Sequence, residues 1–503
     1  MRKRTFCRPI FFTFLLIAIT VSVFPGSFRD DGHVLIAAPG IADPSYPIND
    51  SVPETTGYLP NVCEGLVRFK PGNCEVMPCL ATGWDLSQDG RTWTFTLRSG
   101  VRFHDGTPLN PGLVRSIFSE KMIAAGKSPN ANLLFCMIEK VTVIDSRHVA
   151  FRLRYPYTPF LRNLALPQGA LILPGNPPSG TGPYRIASNK PGEIILKSVP
   201  TYWDRLPEIQ NIRIISVPDV SKRLRILHSR KGVIALGISP VSANDLAPER
   251  IIRSTAASLG YLGFYTDKRP FDNPDARRLV SMAIDRRLIC RTLFNGLLPD
   301  AGGPLPPVVF GNSPRDAITP ADKQKISVLF NKQGLTGREF TLLSYSGTRP
   351  YNPAGGSAFA EEVRRQLQSA GLKVGIRCYQ WDDLKAAISR GEGDFFLYGW
   401  VSDNGDPDNF LYSLLARSQI KSGFNTTRYD NPVLDILLTR ARQIPDSDMR
   451  AKIYRQVQEI TARDLPFISI NYGAHIAACS SDLKGLSLYS IGTYDLHKLV
   501  RAR

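Results

Sequence analysis

FTLLSYS (Phe340–Ser346), AFAEEVRRQLQSAG (Ala358–Gly371), LKVGIRCY (Leu372–Tyr379), WDDLKAAISRG (Trp381–Gly391) and DFFLYGW (Asp394–Trp400) come one after another in that order. The short apolar runs read as strands and the segments between them carry helical periodicity, which is the β-α-β-α-β rhythm of a parallel sheet with helices on its faces. Ligands of such sheets bind beyond the carboxyl ends of the strands. The segment at the end of DFFLYGW is acidic, GWVSDNGDPDNFL from Gly399 to Leu411, and so lies where a ligand would be expected. Asp403, Asp406 and Asp408 among glycine, asparagine and proline have the composition of a solvated turn. Trp400 and Phe410 at its borders give it an apolar frame that an exposed turn does not need.

Upstream, Ile212–Val217, the helix-like DVSKRLRILHSRKG and VIALGIS form a second strand-helix-strand unit. YLGFYT at Tyr261–Thr266 is the strand expected to carry the chain into its last lobe, and PFISINYG returns it to the first. Thr92, Thr94 and Thr96 alternate with Trp93, Phe95 and Leu97, the period of a half-buried strand, and Val141–Leu153 reads as two more strands around an Asp-Ser-Arg turn. DARRLVSMAIDRRLICRTLF reads as one long amphipathic helix. GTGPYRI at Gly180 lacks the third glycine and the following helix of a dinucleotide site and is read as a tight turn into a strand.

At 503 residues, 43% hydrophobic and 21% charged, the chain is long enough for two or three domains with substantial cores, and its 39 prolines and 40 glycines imply many turns between short elements. Arg2, Lys3, Arg4 and Arg8 precede the uncharged run Ile10–Phe24, the pattern of an export signal, cleaved or retained as an anchor. The net charge is +18, of which the leader supplies four. In an exported protein this speaks against nucleic acid, since the basic residues are spread along the chain without interleaved aromatics. It suits a solvated basic surface, with weak contact to an anionic membrane surface as a hypothesis. Seven cysteines lie beyond the leader, and Cys63, Cys74 and Cys79 are close enough in sequence for a loop-closing disulfide. The six histidines are scattered with no helical pairing, so no metal site is expected, and no cofactor fingerprint is present. Neither a glycine-flanked nucleophilic serine, a phosphate-cradling loop nor a thiol with a spaced histidine is found, so no catalytic residue is assigned and the chain is not read as an enzyme.

Seven segments, in one order, carry a resemblance. They are LATGWDLSQDGRTWTFTLRSGVRFHDGTPLN from Leu80, GTGPYRI from Gly180, TYWDRLPEI from Thr201, KRPFDNPDARRLVSMAIDRRLI from Lys268, RPYNPAGG from Arg349, GWVSDNGDPDNFL from Gly399 and DLPFISI from Asp464. Together they resemble the peptide-binding solute-binding proteins (family 5) of ABC importers, the dipeptide-binding and Sap-type branch in particular. The resemblance implies a mixed α/β, three-lobed periplasmic binding protein in which two α/β lobes flank a hinge and a small lobe is added. Its boundaries are a signal peptide or anchor at 1–27, lobe I in three pieces (28–53, 168–262, 476–503), lobe II at 54–167 and lobe III at 263–475. It implies a monomer that captures short peptides and delivers them to a permease and its ATPase in the inner membrane. Haem, a nickel chelate or an antimicrobial peptide is the alternative ligand, and a non-transport surface protein the alternative role.

The resemblance also assigns the site. The arginine of the RPYNP segment, here Arg349, holds the ligand carboxylate, and the first aspartate of the acidic segment, here Asp403, holds its amine. A guanidinium fork and a carboxylate at two strand ends suit the two termini of a zwitterion, or they pair with each other. Trp400 and Tyr351 are candidate walls of the pocket, Ser402 and Asn404 candidate polar contacts, and Asp406 and Asp408 candidate caps of the helix that comes next. The chain departs from the dipeptide-type pattern by lacking a cysteine pair after the acidic segment and by the insertion Gly347-Thr348.

Overall fold

Two long strands, Ile251–Phe264 and Phe467–Cys479, run antiparallel through the middle of a ten-stranded sheet. The computed structural model describes residues 32–42, 56–313 and 320–502. The expected export signal therefore lies outside the described residues. Both long strands are buried along nearly their whole length. Strands covered on both faces read as apolar runs rather than alternations.

On one side of this pair stand Phe395–Val401, Glu339–Tyr345 and Lys373–Tyr379, mutually parallel and linked by the helices Gly356–Ser369 and Trp381–Arg390. This is the β-α-β-α-β unit expected from the sequence. On the other side stand Val233–Leu236, Val34–Ala38 and Asn211–Ser216, also parallel, then the hairpin Glu193–Ser198 and Tyr184–Lys190. The helix Val220–Ser229 joins Asn211–Ser216 to Val233–Leu236, again as expected.

The register decides where a ligand can sit. Val401, at the end of its strand, pairs with Ser258, and Leu236, at the end of its own, pairs with Ala477, which itself faces Ile252. The long pair thus carries one α/β half at each end, and the carboxyl ends of both halves point toward its middle. The ladder is irregular there, between Thr255 and Leu259. A cleft between the halves is consequently bordered by strand ends from both sides.

A separate four-stranded sheet, in the order Ala81–Leu86, Thr92–Leu97, His148–Leu153, Ile138–Val143, is covered by the helix Pro111–Ala125. Its core is aromatic: Phe151 meets Phe118 edge-on at 4.8 Å and Phe95 at 5.6 Å. His104 closes the turn beside it on backbone, with Nε2 3.0 Å from the Gly182 carbonyl and Nδ1 accepting from Gly180.

Two expectations need correction. DARRLVSMAIDRRLICRTLF forms two helices, Pro274–Met282 and Arg286–Phe294, because Asp285 leaves helical geometry to accept from the Leu288 N–H while its own N–H donates to Gln366. A side chain that caps as well as aspartate divides the apolar pattern without erasing it. The second concerns the thiols: all seven described cysteines are free. Among the described residues no helix is long and apolar enough to cross a membrane.

Candidate functional site

Arg349 lies beyond the strand Glu339–Tyr345 and Asp403 beyond Phe395–Val401, and these strands are parallel neighbours in register. Both residues therefore leave the sheet at the same edge, the one that faces the other half. They do not pair with each other. Among the described residues neither takes part in any ion pair, and the Arg349 Nε is buried without a hydrogen-bond partner.

The Arg349 guanidinium is held by stacking. It lies 3.8 Å over the Trp381 ring, and that indole stacks at 4.9 Å and 11° on Tyr398, in the strand that leads to Asp403. The guanidinium edges stay available for a planar anion while its face is fixed. Asp382, next to Trp381, feels this charge, but it is exposed and bonded to Lys385 at 2.7 Å. The sequence reading does not single out Trp381, although it begins the helix just beyond another strand of the same parallel set.

The acidic segment divides its aspartates between two tasks. Asp406 is buried and ends on two guanidiniums: Arg450 binds both of its oxygens at 2.6 and 2.9 Å, and Arg162, from beyond the four-stranded sheet, reaches it at 3.0 Å. Its carboxyl is held below the usual range by these arginines, against the cost of burial. It also caps the helix Pro407–Leu415 by accepting from the Asp408 N–H, as expected. Asp408 lies in the first turn and pairs with Arg442 at 3.1 Å; burial nevertheless pushes its carboxyl up to about 6. Asp403 is different. One edge is open to solvent, protein crowds the rest, and desolvation raises its carboxyl above the usual range; a single Asn409 N–H at 3.4 Å offsets part of that.

The other candidates are placed less directly. Ser402 Oγ accepts from the Gly405 N–H, and Asn404 donates to Asn163 and accepts from the Asp406 N–H. Both are buried and spend their polar groups on shaping the turn. Trp400 donates to Asn409 and meets Phe424 edge-on at 5.5 Å, which braces the segment from outside. Tyr351 is buried against Gly399: a Cβ there would come within 2.4 Å of its ring, so a glycine is required for this loop to lie on the strand. Its ring meets Tyr345 edge-on at 6.4 Å, and Tyr345 in turn lies under the Arg349 guanidinium at 5.9 Å.

Two cavities open at this edge. One, of about 420 Å³, is bordered by Arg349 and Pro350 from one half, by Arg223 and Gly237 from the other and by His475 from the central strand between them. The second, of about 90 Å³, is bordered by Asp403, Val401, Leu133, Gln168 and Ile491. They share a wall, since Ile491 and Thr493 face the small cavity while Gly492 and Tyr494 face the large one. Nearby buried polar atoms lack partners, among them the Ser258 and Ser490 hydroxyls and Asn352 Oδ1.

Comparison with known proteins bears on the family and the fold. Residues 75–422 match the family model described as Bacterial extracellular solute-binding proteins, family 5 Middle. The chain is similar to Di/tripeptide-binding protein 2 of Pseudomonas aeruginosa, with 27% identity over 471 residues, 86% of this chain and 88% of that protein. Among solved structures it is similar to HbpA2 from Haemophilus parasuis, with a TM-score of 0.80 and 25% identity over 93% of this chain and 99% of that one. It is also similar to a dipeptide binding protein from Pseudoalteromonas solved with Met-Leu, with a TM-score of 0.72 and 25% identity over 93% and 100% of the two chains.

Proposed function

Because the chain belongs to the bacterial extracellular solute-binding proteins of family 5, we propose that it captures di- or short oligopeptides as zwitterions between Arg349 and Asp403. One observation carries this reading: two opposite charges emerge from one sheet edge, each without an ionic partner, while Asp406 and Asp408 three and five residues further on are both consumed by arginines. A peptide carboxylate fits the guanidinium edge left free over Trp381, and a peptide ammonium neutralises Asp403. Main-chain length sets the separation of the two termini, so ligand length is selected before side-chain identity.

Closure completes the function. The two α/β halves, lobes I and III of the proposed division, rotate about the long strands, and the closed form docks on a membrane permease with its ATPase. The protein works in the periplasm as a monomer and binds rather than transforms its ligand. The relative solved with Met-Leu and the di/tripeptide-binding relative support peptides as the cargo. Calorimetry tests this with free, N-acetylated and C-amidated forms of one dipeptide. Removing either terminal charge leaves a partly buried charge unpaired and lowers affinity by about 100-fold. Equal affinity for the three forms overturns the assignment, and saturable binding of haem with no response to peptides replaces the cargo.

A further inference from the structure

From the charges that border the large cavity we infer that this protein prefers acidic peptides, ligands that bring a second anionic group in addition to their terminal carboxylate. The inference rests on the peptide reading above and adds the substrate class. The cavity of about 420 Å³ exceeds what a dipeptide backbone fills, and Arg349 and Arg223 both border it, whereas among the described residues no aspartate or glutamate does. Arg223 is only 3% exposed and has no carboxylate partner among the described residues. Its Nη atoms donate to the carbonyls of Val217, Pro218 and Gly237, and its Nε is left without an acceptor. Carbonyl dipoles hold the guanidinium in place without cancelling its charge. Asp219, the nearest acid in sequence, caps its helix through the Lys222 N–H and stays at the exposed surface.

A buried cation that is hydrogen-bonded but not neutralised projects its field into the adjoining space, which has low dielectric once the cleft closes. Arg349 supplies a second such charge, and its ring stacking keeps it from swinging away to meet Asp382. The cavity around Asp403 is the opposite case. It is small, about 90 Å³, and largely apolar, with Leu133, Leu134, Val401 and Ile491 in its wall. A ligand matched to both has a small apolar first residue and an acidic residue after it. The overall basic charge of the chain, +18, favours the encounter with such ligands as well.

The experiment is calorimetric titration of the whole folded protein with Ala-Ala, Ala-Glu, Ala-Gln and Ala-Lys at two salt concentrations. Ala-Gln matches Ala-Glu in size, so their ratio isolates the charge. The expected result is Ala-Glu binding about tenfold tighter than Ala-Gln, with Ala-Lys weaker than both. Arg223→Gln should bring the Glu-to-Gln ratio close to one; should that variant fail to fold, the ligand series on the unaltered chain still decides. Equal affinities for Ala-Glu and Ala-Gln, with N-acetylated Ala-Gln binding poorly, overturn the acidic preference and leave the zwitterion clamp standing. Equal affinities for the acetylated and free forms overturn both.

Discussion

Asp403 and Asp406 lie three residues apart in one turn, and exchanging each for asparagine should give opposite phenotypes. Asp406→Asn keeps the shape of the side chain and its cap on the Asp408 N–H, so the helix start survives. What it removes is the charge between Arg450 and Arg162, whose side chains are 2% and 12% exposed. Two guanidiniums are then buried against a neutral amide, and loss of one partner from a buried ionic group costs about 3 kcal/mol or more. Because Arg162 comes from beyond the four-stranded sheet, the loss also loosens the junction that Asn404 and Asn163 make beside it. Asp403→Asn removes a charge that nothing in the free protein compensates, so its stability should change by no more than about 0.5 kcal/mol, while peptide affinity falls by about 100-fold. Urea unfolding without ligand measures the first quantity and calorimetry with a free dipeptide the second. A destabilised Asp403→Asn that still binds, beside a stable Asp406→Asn that does not, would show that the anchors have been assigned to the wrong aspartate.

Trp381→Leu should reduce peptide affinity about fivefold with little change in the urea midpoint, since it removes roughly 1 kcal/mol of stacking that orients Arg349 but leaves the charge in place. Unchanged calorimetric affinity would mean that the guanidinium needs no such brace. The Asp408 carboxyl, raised to about 6 in the folded chain, protonates more readily there than in the unfolded one, so the stability linked to it is fully present below the ordinary carboxylate value and is lost as pH rises through 6. Between pH 7 and pH 5 the native protein should therefore gain about 1 kcal/mol relative to Asp408→Asn, read as a difference of urea midpoints. Gly399→Ala places a methyl within 2.4 Å of the Tyr351 ring and should cost about 1–3 kcal/mol while displacing the Arg349 loop, seen as a joint loss of melting temperature and peptide affinity.

The parallel unit from Glu339 to Val401 was legible because each strand is a short apolar run and each helix keeps its period. The two central strands were legible only in part. YLGFYT and PFISINYG mark apolar stretches of them, but Ser254–Ser258 and Gly473–Ala474 extend both strands through small residues that carry no periodic signal, and the ladder is irregular there. Small residues belong at that place for a physical reason: Gly473 sits against the Ser258 hydroxyl and the Pro350 carbonyl, where a Cβ has no room. The property that hides the strands from a pattern reading is thus the one that lets the Arg349 loop settle on the sheet.

The site obeys the same logic. Arg349 and Asp403 both lie just beyond strands of a parallel set, and the same rule applied to the third strand, Lys373–Tyr379, leads directly to Trp381. An aromatic at a helix start looks like core in any single sequence; only the parallel order, with Glu339–Tyr345 between the other two strands, brings it under the guanidinium. Ser402 and Asn404 show what adjacency alone conveys. Adjacency to Asp403 makes them candidates for ligand contact, but a turn that must expose one aspartate and bury two needs internal acceptors, and these side chains supply them. In such a loop the charged residue left without an ionic partner is the better candidate for the ligand, and by that criterion Asp403 stands apart from Asp406 and Asp408.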